Sequence, residues 1–287
     1  MHLAAPASPM PSPVASALAG AYARLAAVFP GLRITEEAPR TGGGWSTARE
    51  LADGGAALDA FLAGDEVQIT RDYGRPARPD VTASFGLHRY AWPACLLFTV
   101  PFFLHRRVPL LTPDDVSFHR TDGRVTRMTV RPRGFACLPD DQAAHAHDAY
   151  AVPSHDALRA ELRAAVAAHL APVLDGFRSR TRRGSRALWG MVTDEITEGL
   201  WYVGHLLGEE DRAVAELAAL MPGGTEPYPG GAAFRDLAGS GGTALRTRDR
   251  ISCCLVYTLP SAETCVTCPR TCESDRLKRL TTNLTHS

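Results

Sequence analysis

The sequence predicts an α+β fold dominated by helices, with a small antiparallel β-hairpin or sheet and a cysteine-rich module near the C-terminal end. Three observations predict it. Stretches with apolar residues every three or four positions lie on both sides of a short region where apolar and polar residues alternate. Five of the seven cysteines fall between Cys253 and Cys272. A Gly/Pro-rich linker over residues 223–242 separates the last long helical pattern from that cluster.

The elements follow in order. Residues 1–12 are rich in Ala, Pro and Ser and read as a disordered N-terminus. Residues 14–29 carry Leu18, Tyr22, Leu25 and Val28 at helical spacing and stop at Pro30. Residues 48–64 form a second amphipathic pattern with Leu51, Leu58 and Leu62 on one stripe. After a connector at 72–80, residues 81–104 read as a helix feeding an apolar run, kinked or broken at Pro93 and Pro101. The pattern then changes period. Residues 116–119 and 125–131 alternate around Thr121, Asp122 and Gly123, and Asp-Gly between alternating runs signals a hairpin. Residues 134–138 are a candidate third strand. Leu158, Leu162, Val166, Leu170 and Val173 define a long helix over 157–177, with Ser154 as its N-cap and Pro172 as a kink or early end. Helices are expected again at 185–207 and 212–221, a helical turn at 233–237, and a strand over 246–259. The expected organisation is an N-terminal helical and hairpin region (13–140), a helical region with linker (141–240) and a cysteine module (241–287).

Composition narrows the function classes. The chain has 287 residues, 45% hydrophobic and 22% charged, enough for a real core without disulfide support. Its 31 basic residues balance 31 acidic ones, which gives no support for nucleic acid as a partner. Only Lys278 among the basic residues is a lysine, so the arginine content reads as a compositional bias and lends little weight to any one arginine. Residues 1–14 lack the layout of a signal peptide. The most apolar run, 92–104, has 13 residues against the ~20 of a spanning helix. These features favour a cytoplasmic protein.

The chemistry concentrates in Cys253-Cys254, ten intervening residues, then Cys265 and Cys268 in a C-x2-C spacing. Two close pairs on one short loop suit a four-thiolate site, because each short spacing joins two sulfurs at little entropic cost. The adjacent pair adds a constraint. Neighbouring strand residues point to opposite faces, so both can serve one centre only if the backbone bends there. A zinc ribbon uses two C-x2-C knuckles instead. Cys272 adds a fifth thiol with an open role: substitute ligand, neighbour of the site, or bystander.

The motif resembles that of the FhuF-type siderophore-iron reductases, with Cys253, Cys254, Cys265 and Cys268 at the family's C-C-x10-C-x2-C spacing. Pro269, the Leu-Val-Tyr at 255–257, the SRALWG segment at 185–190 and the apolar segment at 83–109 are similar to the family as well. The resemblance implies that these four cysteines hold a 2Fe–2S cluster, making the module an iron–sulfur one. It implies one-electron reduction of siderophore-bound Fe(III), most naturally a hydroxamate complex, with release of Fe(II). No catalytic residue beyond the cluster is implied. No GxGxxG follows a strand and no Walker A sequence occurs, so electrons are expected from a separate ferredoxin or flavin reductase. Peripheral contact with a membrane uptake system fits the same reading. The competing readings are a zinc-stabilised, non-redox siderophore-binding protein and an iron–sulfur sensor or docking module.

The remaining candidates read as structural. Cys95 and Cys137 are expected in the core. Trp189, Trp201 and Tyr202 could line a pocket, but aromatic residues on a long helix more often pack inward. Arg182, Arg183 and Arg186 could meet an anionic partner, and read as a solvated basic turn. His145 and His147 have no expected role.

Overall fold

The computed structural model describes residues 16–239, 242–260 and 262–284. The expectation of disorder at 1–12 lies outside them. The described chain begins with α1 (Ala19–Val28), β1 (Arg33–Glu36) and β2 (Trp45–Thr47). The pattern read as one helix over 48–64 is two: α2 (Ala48–Asp53) and α3 (Gly55–Tyr73), parted at Gly54 and Gly55, both with positive φ (70° and 63°). Thr47 and Glu50 form a reciprocal capping box at the start of α2.

Helix α4 (Pro79–His105) is the hub, packing against α1, α3, α5 (His155–Thr181) and α6 (Ser185–Leu206). Pro79 opens it, and Pro93 and Pro101 lie inside it without ending it. Each internal proline removes a hydrogen bond and costs ~3 kcal/mol or more in an isolated helix. Burial of α4 on nearly all sides by neighbouring helices offsets that cost, which a single-sequence pattern cannot register. Pro172 likewise leaves α5 continuous, and Ser154 caps it by accepting a hydrogen bond from the Ala157 N–H (3.1 Å). Helix α7 (Glu210–Leu220) packs on α6.

The expected hairpin is present. β4 (Val116–Thr121) and β5 (Arg124–Val130) pair antiparallel around Asp122 and Gly123, both at positive φ (48° and 73°) as a two-residue primed turn requires. β1 adds to β5 in parallel and β2 to β4 antiparallel, giving the order β1-β5-β4-β2. The candidate strand at 134–138 is β6 (Phe135–Cys137), but it joins β3 (Val108–Pro109) and β7 (Ala149–Ala151) in a separate sheet.

Three expectations near the C-terminal end change. The helical turn expected at 233–237 is strand β8 (Phe234–Ala238), paired with β9 (Ala244–Arg248). Cross-strand pairing decides its state where local sequence is ambiguous. The strand expected over 246–259 ends at Arg248, and a 3-10 turn follows at Val256–Thr258. Helix α8 (Glu273–Leu284) closes the described chain and was not anticipated. The result is a helix-dominant α+β structure with small sheets and a C-terminal cysteine module. One apolar core reaches from Leu18 to Ala232. A smaller one joins Ile69, Val81 and Phe85 of α3 and α4 to Leu259 of the cysteine segment.

Candidate metal centre

The cysteine segment is held by α6. Asp194, fully buried, receives hydrogen bonds from Arg248 Nη2 (2.7 Å) and from the backbone N–H groups of Ile251 (3.0 Å) and Ser252 (2.9 Å). One carboxylate thereby fixes Arg248, Ile251 and Ser252 on the approach to Cys253. Glu198, one turn further along α6, pairs with Arg248 (3.0 Å) and accepts from the Thr267 hydroxyl (2.6 Å). The Arg250 N–H donates to the Thr267 carbonyl (3.0 Å), joining the two ends of the cysteine loop. Arg183, just before α6, donates to Ser252 Oγ (3.0 Å) and to the Cys253 carbonyl. Arg276 of α8, also buried, donates to the Cys268 carbonyl (3.1 Å). Arg183 is therefore not the solvated turn residue expected. Burial lowers its pKa, and the Cys253 and Cys254 thiols beside it favour its charge.

The backbone bends at the adjacent pair as one shared centre demands. Leu255 is left-handed (φ 67°), and its N–H points at Cys253 Sγ (3.4 Å). The Val256 N–H donates to the Cys254 sulfur. At the second pair the Cys268 N–H closes a turn on the Cys265 carbonyl (3.0 Å), and the Arg270 N–H points at Cys268 Sγ (3.5 Å). Cys253 Sγ and Cys268 Sγ lie 4.0 Å apart. That is close to the ~3.8 Å between two sulfurs placed ~2.3 Å from one tetrahedral metal. Cys253 and Cys265 both raise the pKa of Cys254 and of Cys268 through their charge. Cys272 is exposed, and its sulfur lies 3.2 Å from Ser274 Oγ.

Burial raises the Cys254 pKa, and burial followed by the neighbouring thiols pushes Cys268 up to about 11. Without metal these sulfurs keep their protons. With metal, three backbone N–H groups and the Arg183 and Arg250 guanidinium groups stand ready to meet thiolate charge. Hydrogen bonds to sulfur are a main determinant of an iron–sulfur potential. Among the described residues no three His, Cys, Asp or Glu side chains converge on one point as a single ion requires. The donor set, the bent backbone and the N–H groups aimed at sulfur fit a 2Fe–2S group.

Cys265 is the exposed member of the four and Cys268 the buried one. Cys95 and Cys137 are fully buried in the core, as expected. Trp189 packs edge-on against Tyr228, whereas Trp201 and Tyr202 line a small cleft of about 320 Å³ with Glu198 and Thr267. Sequence reasoning missed Asp194, Glu195, Glu198, Arg248, Arg250 and Arg276. Their signal was faint: acidic residues on an otherwise apolar helical face, and arginines in a chain already rich in them.

Residues 250–270 match the family model of the FhuF 2Fe-2S C-terminal domain. No curated protein matches the chain.

Proposed function

From a chain that carries a FhuF-type 2Fe–2S domain at residues 250–270, we propose a ferric siderophore reductase. The observation that supports it most is the match of residues 250–270, which carry Cys253, Cys254, Cys265 and Cys268, to that domain, with Cys253 Sγ and Cys268 Sγ 4.0 Å apart and Cys265 exposed. These four cysteines are the proposed ligands. When bound, the cluster supplies a one-electron relay between an external donor and the iron of the substrate.

The chain's own residues do the rest. The N–H groups of Leu255, Val256 and Arg270 hold the sulfurs in place and meet their charge. Asp194 and Glu198 fix Arg248 and Arg250, which hold the loop ends together. Exposure of Cys265 leaves that edge of the domain open to an external electron donor. The substrate supplies the driving logic: a hexadentate oxygen chelate binds Fe(III) strongly and Fe(II) far more weakly, so one electron frees the metal. The family resemblance points to hydroxamate siderophores and to a ferredoxin or flavin reductase as donor. No helix among the described residues is long and apolar enough to cross a membrane. A cytoplasmic location, with peripheral contact to an uptake system at most, completes the proposal.

The test is a visible and EPR spectrum of anaerobically purified protein before and after dithionite, with iron, zinc and sulfide analysis and Fe(II) trapping from ferric siderophores. Two irons and two sulfides per chain, bleaching on reduction and Fe(II) release support the proposal. A colourless protein with one zinc would sink it in favour of a non-redox binding protein. A cluster that releases no Fe(II) would leave a sensor.

A further inference from the structure

A wide cleft lies along α4, away from the cysteines themselves. It measures about 900 Å³ and is bounded by the α1–β1 turn, the end of α3, one face of α4 and the β4–β5 hairpin. That is the upper range of small-molecule sites. Phe29, Tyr73, Phe85 and Trp92 give it aromatic surface, and Arg71, Arg89 and Arg124 bring positive charge.

Its walls are preformed. Arg89 lies over the Phe85 ring (4.2 Å) and donates to the Gly123 carbonyl (2.7 Å), tying the hairpin tip to α4. Arg120 of β4 reaches the Phe61 carbonyl of α3 (3.1 Å) and pairs with buried Asp65. Arg71 is paired with Asp72, but Arg124 is exposed and makes no ion pair among the described residues. A free guanidinium at the rim of an aromatic cleft suits a ligand with apolar bulk and negatively charged oxygens.

Two connections join this cleft to the cysteines. Phe85 and Tyr73 of the cleft belong to the same small apolar cluster as Leu255, Val256 and Leu259, the loop directly after Cys254. In addition, His88 on the cleft wall bonds through Nδ1 to Glu195 Oε1 (2.6 Å), and Arg250 Nη2 reaches the same oxygen (3.1 Å). Arg250 in turn lies in the field of Cys254 and Cys265. Three other clefts fit less well, the one lined by Trp201 and Tyr202 being about a third of the size, 320 Å³. The one beside Glu209, Glu210, Asp211 and Asp236 is acidic, and the one beside Cys265 and Lys278 is smaller, about 520 Å³, and has no aromatic residue.

We propose that the ferric chelate docks in this cleft, its apolar backbone against Phe29, Phe85 and Trp92 and its iron-bound oxygens toward Arg124 and His88. The inference rests on the reductase reading and places its substrate. One electron would pass from the iron–sulfur domain across this apolar cluster and reduce Fe(III) to Fe(II). The external one-electron donor replaces it, and no bond within the organic ligand is made or broken.

The experiment titrates oxidised holoprotein, without donor, with the gallium(III) complex of a linear trishydroxamate, which cannot be reduced, and follows binding by calorimetry. Arg124→Glu and Thr126→Trp, a charge reversal at the rim and a plug on the hairpin, are compared with wild type after their cluster spectra and melting curves are shown to match. Binding by wild type and a loss of about tenfold or more in both variants supports the site. Variants that bind within about twofold of wild type overturn it. Wild type that binds no gallium complex yet reduces the ferric one also overturns it, while leaving the reductase reading intact. Holoprotein that carries a cluster and reduces no ferric chelate brings down that reading and the docking site with it.

Discussion

Asp194 carries no sulfur, yet it governs the cysteine module. It takes two backbone N–H groups and two arginines into one buried carboxylate. Removing one partner of a buried pair leaves the other charged and uncompensated, at a cost of ~3–5 kcal/mol. Asp194→Asn should therefore lower the thermal midpoint and the iron content together, because its amide N–H₂ faces groups that can only donate. A variant with normal iron and an unchanged melt would remove Asp194 from this role. The thiols predict a sharper contrast. Cys265→Ser should abolish the visible spectrum, whereas Cys272→Ser should keep it. The opposite pattern would reassign the ligands. At this scale the sequence was legible where function is local. The cysteine spacing spans few residues and is read directly, and so was the need for a bent backbone at Cys253 and Cys254. Asp194 and Arg248 are far apart in the chain, and no short-range pattern announces their meeting.

Elements show the same division. The β4–β5 hairpin, α5 with its Ser154 cap and α6 are legible because their signals are periodic and local. The continuity of α4 and α5 through their prolines is not, since it depends on what surrounds them. Gly176 illustrates how closely these helices meet. A Cβ there would lie 2.2 Å from the Leu51 carbonyl oxygen and 2.8 Å from that of Ala52, both backbone atoms of α2. Side chains can turn away, but backbone oxygens cannot. Gly176→Ala should destabilise the protein by about 1–3 kcal/mol despite the gain in helix propensity, seen as a lower thermal midpoint. An equal or higher midpoint would show that α2 can move aside.

Across the whole molecule, acid should weaken the α4–α5 packing. His169 is fully buried, its ring 2.8 Å from the Tyr90 hydroxyl, and burial lowers its pKa to about 4. The unfolded chain takes up that proton near pH 6.5, the folded chain only near pH 4. Between those values the unfolded state binds more protons, so stability falls as pH drops through the window, by roughly 3 kcal/mol. Urea unfolding at a series of pH values should show this decline in wild type and a shallower one in His169→Gln. Parallel slopes would mean that another group dominates.

The lattice of Asp194, Glu198, Arg183, Arg248 and Arg276 has a consequence for how the protein comes into being. In a small zinc finger the ion and the fold arrive together. Here the segment that carries the thiols is also anchored to a large helical body by contacts that use no cysteine side chain. Those contacts would outlast loss of the cluster, so the anchoring of the cysteine segment and its metal loading are separable in principle, unlike the zinc finger's.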